Sequence, residues 1–280
     1  MEKKILDSTQ TVSELRLSPF MPIQKISSRS VTYKEFIKNG NKLERSTPFG
    51  KIVIRNRLLT QHHSDIFNLI MAIKIDTKLF STGQMAIYFS LYEIAKKLNI
   101  TWSGQSAKDL EETIQQIADC RIIRYKNDKP LQSYKLIDDV KFSKNKNMWG
   151  IILSKEYVEH FYTDLTIDYK KRISEIVNIT GEGSGLIKAI INHFITHKAN
   201  QDEDKGIVKI NRISLMTLLE TVNYPTNTKR QITSAKSFIK KFNKVLLKFN
   251  IKYDNKSKIF EYGGTKDINF ISAIKNGTNQ

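Results

Sequence analysis

Residues 225–260 constrain this chain more than any other stretch. Ile232, Ala235, Phe238, Ile239, Phe242, Val245 and Leu246 recur at three- and four-residue spacing, so they share one helix face. Lys229, Arg230, Thr233, Lys236, Ser237, Lys240 and Lys244 fall largely on the opposite face. The stretch holds ten Lys/Arg against one acid, Asp254. A cationic helix with short hydroxyls among its bases suits a phosphate backbone and base edges. The plainer reading is a solvated Lys-rich surface, and the rest of the chain has to decide between them.

The 280 residues carry 46 Lys+Arg against 28 Asp+Glu, a formal net charge of +18. Length suggests roughly two domains, and a 40% hydrophobic content supplies their cores. The charge points to a polyanionic partner: DNA, RNA or an acidic membrane face. The chain shows no apolar run of spanning length and no signal-type segment at its start, so a cytoplasmic protein without membrane contact is expected. A single Cys120 excludes an intramolecular disulfide and a Cys-based zinc cluster; it reads as a buried, inert thiol.

Residues 1–45 are polar and loosely patterned, and read as a flexible arm. Ser46–Gly50 is a turn, Lys51–Leu59 alternates as a strand, and His63–Ile75 reads as a helix capped by Ser64. A strand at Met85–Phe89 and a helix at Ser90–Leu98 follow. After a turn containing Trp102, a second helix begins near Ser106. Arg121–Tyr125 and Ser133–Ile137 then form a hairpin, and Met148–Leu153 a further strand. Tyr157–Tyr169 is too apolar for a free tether and is expected to pack on the first half, with Gly181–Gly185 as a hinge.

The same order returns later: helix Ser184–His197, strand Gly206–Ile210, helix Ile213–Thr221, turn Asn223–Asn227, helix Thr228–Phe249, hairpin Ile251–Tyr262. Helix, strand, helix, turn, helix, hairpin is the order of a winged helix. The chain is therefore read as α+β: two tandem winged-helix domains, 46–180 for DNA contact or dimerisation and 181–280 for DNA binding, behind a flexible N-terminal arm.

No catalytic constellation stands out, and no metal or cofactor is expected. Adjacent His62 and His63 point different ways, and the Gly181–Gly185 run lacks the Lys-Ser/Thr ending of a phosphate loop. Asp138 and Asp139 read as a solvated turn, and Trp102 as core. Candidate DNA contacts are Thr228, Lys229, Arg230, Thr233, Lys236, Ser237 and Lys240 on the basic helix, and Lys256 and Lys258 at the wing. Gln105, Ser106 and Lys108 hold the equivalent places in the first half, beside Asp109, Glu111 and Glu112. A nuclease would need clustered carboxylates with a His in a basic cleft, and the sequence offers none.

Ser46-Thr47-Pro48-Phe49-Gly50-Lys51, through Arg57-Leu58-Leu59-Thr60-Gln61 into Asp65–Ile73, resembles the entry to the first domain of the TrfA-type, iteron-binding replication initiators of bacterial plasmids. In architecture the resemblance covers about residues 46–262. It implies a non-enzymatic protein that grips direct repeats at an origin, shifts between monomer and dimer, opens an AT-rich region and recruits host proteins such as a helicase loader. Arg16-Leu17-Ser18-Pro19-Phe20 resembles the short peptide by which some initiators bind the sliding clamp. A transcriptional repressor on the same fold is the alternative.

Overall fold

Most helices begin where a hydroxyl can accept a backbone N–H that has no partner within its own helix. The computed structural model describes residues 7–126, 128–143, 148–197, 200–202, 207–209 and 211–272. Thr11 precedes α1 (Val12–Arg16), Ser30 precedes α2 (Val31–Lys38), and Thr60, paired with His63, precedes α3 (Gln61–Ile73). Ser90 starts α4 (Leu91–Lys97), Ser103 starts α5 (Gly104–Asp119) and Ser154 starts α6 (Lys155–Thr163). The helices α7 (Lys170–Val177) and α8 (Ser184–Ile195) lack a side-chain cap. Ser214 starts α9 (Leu215–Thr221), and Thr228 starts α10 (Lys229–Lys241), which α11 (Asn243–Lys248) follows.

Helices and short sheets alternate along the chain. The first strands are β1 (Gln10–Thr11), β2 (Phe20–Met21), β3 (Lys42–Thr47), β4 (Gly50–Arg55) and β5 (Leu59–Thr60). Next come β6 (Asp76–Leu79), β7 (Met85–Phe89), β8 (Arg121–Lys126), β9 (Lys129–Tyr134), β10 (Ile137–Ser143) and β11 (Met148–Leu153). The last are β12 (Thr166–Asp168), β13 (Asn200–Asp202), β14 (Ile207–Lys209), β15 (Asn211–Ser214), β16 (Ile251–Asp254), β17 (Ile259–Tyr262) and β18 (Asn269–Ile271). Two antiparallel four-stranded sheets run in the orders β3-β4-β8-β9 and β10-β11-β7-β6, so the hairpin expected as the first wing, β8 with β9, joins β4, whereas β7 pairs with β11. Near the C-terminal end β15, β17 and β16 form a three-stranded antiparallel sheet in that order. No helix among the described residues is long and apolar enough to cross a membrane.

The segment expected to be a loose arm is part of the core. Thr9 and Val12 donate backbone N–H groups to Ile167 and Leu165, both at 2.8 Å, and β1 pairs with β12. Val12, Leu15, Leu17 and Phe20 are buried in the cluster that runs on to Tyr262. These pieces are only a few residues long, so they show no periodicity; partners far along the chain order them. Residues 1–6 of that arm lie outside the described residues. The strand β12 also takes β18 on its other edge, so a single small sheet joins the segments at residues 10, 167 and 270.

The glycine run is a close-packed junction where a hinge was expected. Gly183 sits at φ +88°, and a Cβ there would lie 2.3 Å from Phe238 of α10. A Cβ on Gly185 would lie 2.4 Å from the backbone of Ile23 and Gln24. Three segments meet at distances that only hydrogen allows. The long basic helix breaks at Phe242 (φ −99°, ψ 14°), and α11 turns so that Leu246 and Phe249 are fully buried. The strand expected at Gly206–Ile210 is described only at residues 207–209, and β15 is the strand that joins the hairpin. Strands β3 and β6 have no counterpart among the expected elements, because each alternates too weakly to read alone.

Buried charges tie the pieces together. Lys188 of α8 meets Asp65 of α3 at 2.5 Å, and Gln24 adds a bond to the same carboxylate at 3.0 Å. Burial pushes Asp65 up to about 6 and pulls Lys188 below its ordinary value. Arg45 is buried and donates to the carbonyls of Ser18, Phe20 and Val222. Glu14 lies among aromatic rings, accepts a bond from the Tyr157 hydroxyl at 2.6 Å, and is pushed up to about 8 by burial.

Because Glu14 binds its proton more tightly folded than unfolded, its stabilisation is fully present below about pH 4.5 and is lost as pH rises through 8. Denaturant unfolding of wild type and Glu14→Gln across that window is expected to diverge by up to about 1.4 kcal/mol per pH unit, with the variant flatter. In the same assay Gly185→Ala is expected to cost at least about 1–3 kcal/mol, because backbone must move.

Candidate nucleic-acid interface

The α10 helix is positioned by what its inward face buries. Ala235 and Ile239 are fully buried, and Phe238 lies over Gly183. Its start is fixed by a reciprocal cap: Gln231 N–H donates to Thr228 Oγ1 at 3.2 Å, and Thr228 N–H to Gln231 Oε1 at 3.0 Å. That leaves Lys229, Arg230, Thr233, Ser237 and Lys240 exposed and Lys236 half-buried. Among the described residues, no carboxylate pairs with any of these cations, and the ion pairs lie elsewhere.

The hairpin beyond α11 completes a groove. Thr233, Lys236, Lys240 and Lys244 form one wall, Tyr253 and Asn255 the other, around about 750 Å³. Tyr253 rests on Phe260 at 4.6 Å between ring centres, and its buried hydroxyl has no partner among the described residues. Asp254, the one acid of the stretch, is consumed by its own turn. Its carboxylate accepts from the Ser257 hydroxyl at 2.5 Å and from the N–H groups of Lys256 and Ser257, which holds it below the ordinary carboxylate range. The groove therefore faces outward as cations, hydroxyls and amides. At the hairpin Lys256 is exposed, whereas Lys258 sits at φ +60° with its amine bonded to the Asn255 carbonyl and side chain. Lys258 is thus a turn residue more than a free wing cation.

In the first half, α4 and α5 also meet across a turn, but the chemistry differs. Ser103 caps α5 in place of Ser106. Ser106 is buried, and its hydroxyl donates to the Ser103 carbonyl at 3.0 Å and accepts from the Ser103 N–H at 2.8 Å. It has no freedom left to meet DNA. Gln105 donates to Asp109 at 2.7 Å, and Lys108 is exposed beside exposed Glu111 and Glu112. Trp102, expected in the core, is 44% exposed and stands edge-on to Tyr92 at 5.8 Å between ring centres.

Other marked residues have structural partners. The His63 ring spans Thr60 and Gln116, His62 is pushed down to about 4 by burial, and no group of three His, Cys, Asp or Glu among the described residues is placed to hold a metal. Asp138 accepts from Gln84 and Asp139 pairs with Lys141. The Cys120 thiol is fully buried and pushed up to about 12. The clamp-like peptide is closed off: Leu17 and Phe20 are buried, Phe20 pairs with Leu59, and Arg16 donates to Thr196. A partner could reach it only by unfolding the segment.

No family model matches this chain, and no curated protein does. Two crystal structures of domains 2 and 3 of RctB are similar in chain path. A selenomethionine derivative gives a TM-score of 0.48 at 10% identity, over 83% of this chain and 90% of that one. A second gives 0.43 at 10% identity, over 82% and 90%. At TM-scores below 0.5 neither likeness bears on what this chain does.

Thr228→Ala is expected to lower stability by about 1 kcal/mol through loss of a cap, and Ser106→Ala by about 1 kcal/mol through loss of its bonds to the Ser103 backbone. Urea unfolding checks this, and Ser106→Ala is expected to leave nucleic-acid affinity unchanged.

Proposed function

We propose that this chain binds duplex DNA sequence-specifically at an origin of replication and initiates replication there, without enzymatic activity. The two units are winged helices, residues 46–180 and 181–280. The observation that carries the reading is the order β15, α9, turn, α10, β16, β17 with the sheet order β15-β17-β16, joined to an unpaired cationic outer face on α10. That order is the winged helix, whose second helix enters the major groove by its N-terminal residues. Lys229 and Arg230 stand there, exposed. Arg230 is the candidate for bidentate contact with guanine, and Lys236, Lys240 and Lys256 for phosphates.

The initiator role, as opposed to DNA binding in general, rests on two sequence features. One is the repetition of the helix-turn-helix and hairpin order; the other is the resemblance of residues 46–73 to the TrfA-type initiators. Repeats in the origin, a monomer–dimer equilibrium and recruitment of a helicase loader belong to that role. A repressor is the second reading. It is favoured by the acids around α5, which leave one strongly cationic unit and suit the first half to protein contact.

Binding to the DNA flanking its own gene, titrated against salt beside a scrambled duplex, tests the reading. A preference of about 10³ or more at physiological salt is expected; equal affinities that fall together with salt would overturn it. Arg230→Ala is expected to lose about 1–3 kcal/mol at one base position, whereas Lys240→Ala weakens all sequences alike. An origin-dependent plasmid maintenance assay separates initiator from repressor.

A further inference from the structure

The stretch between β2 and β3 connects the surroundings of the two candidate DNA helices. At one end, Lys25 and Ile26 line a groove of about 460 Å³ together with Ser106, Asp109, Glu112 and Thr113 of α5. At the other end, Val31, Thr32 and Glu35 of α2 line a groove of about 410 Å³ with Thr226, Asn227 and Gln231, where α10 begins. The chain is held on both sides of this stretch. Ile23 accepts the Gln61 N–H at 2.9 Å, Gln24 accepts from the Thr60 hydroxyl at 3.0 Å, and Gly185 lets α8 press against both. Ser30 caps α2, and Phe36 is buried against Met21 and Leu58.

Four cations stand exposed on this bridge: Lys25, Arg29, Lys34 and Lys38. None pairs with a carboxylate of the described residues, and the one acid within the stretch is Glu35. The neighbouring Glu44 is already neutralised by Lys42 at 2.6 Å and Lys51 at 3.1 Å. A pinned, unpaired cationic strip that runs from the side of α5 to the start of α10 has the placement of an element that crosses the phosphate backbone while the helices enter the grooves on either side.

We propose that residues 25–38 form a third DNA contact, which takes backbone phosphates between the two helix contacts through Lys25, Arg29, Lys34 and Lys38. The inference rests on the duplex-DNA reading above and extends it to a segment outside both winged helices. Contacts of this kind fix register and add affinity without reading sequence. The strip therefore raises affinity for every duplex and leaves discrimination to α10.

The test replaces all four residues by Gln in the full chain and measures affinity against salt, on the duplex flanking its own gene and on a scrambled one. Affinity is expected to fall equally on both, with the slope of log affinity against log salt reduced by about 0.9 per phosphate lost, up to about 3.6 for four. Phosphate ethylation of the wild-type complex is expected to interfere between the two groove contacts. Unchanged affinity and slope, a loss confined to the specific duplex, or no interference at those phosphates would each overturn the bridge. Wild-type protein that does not distinguish the duplexes would instead overturn the DNA reading itself. The ethylation arm uses wild-type protein alone, so it decides the matter even if the fourfold variant misfolds.

Discussion

The contact of Lys188 with Asp65 organises the rest of the molecule. Both side chains are withdrawn from water, and burial drives each toward its neutral form. Charges in that position persist only with complete partners. The partners come from separate stretches: Asp65 from α3, Lys188 from α8, the carbonyl of Val177 at 3.0 Å from α7, and Gln24 from the N-terminal segment. Satisfying this one ion pair therefore ties four segments together. Gly183 and Gly185 act at the same junction by letting backbones and the Phe238 ring approach more closely than any side chain would permit.

That junction sets where the cationic surface points. The α8 helix, held by Lys188, packs against α10, and the outward face of α10 follows from it. The hairpin follows the same logic: Asp254 closes the turn, and its carboxylate is engaged by the Ser257 hydroxyl and the N–H groups of Lys256 and Ser257 instead of by a groove lysine. Burial also decides what the surface cannot offer. Leu17 and Phe20 fill the core, so a peptide that reads as a recognition motif in one dimension is inaccessible in three.

Much of this is legible in residue order. The apolar spacing of α10, the Ser and Thr caps and the hairpin at Ile251–Tyr262 are local signals, and the structure has helices and strands close to where they predict them. Starts shift by a few residues where two hydroxyls compete, as with Ser103 and Ser106, because only the folded turn decides which one accepts the N–H. Trp102 departs from its expected place for a related reason. An aromatic ring in a turn carries no periodicity, so its exposure depends on what stands opposite, here Tyr92.

Residue order alone is enough to specify many of the elements and their charges: a net +18, one strongly basic amphipathic helix, and the hairpin that follows it. Each depends on neighbours a few residues away, and periodicity records such neighbours. Packing in three dimensions makes residues 8–21 core, turns the glycine run into a junction, ends α10 at Phe242, and lays Lys25 to Lys38 between two helices. Those outcomes depend on partners well over a hundred residues apart in most cases, such as Thr9 with Ile167 or Ile23 with Gly185. Burial and close approach are properties of pairs, and no single stretch of chain contains both members.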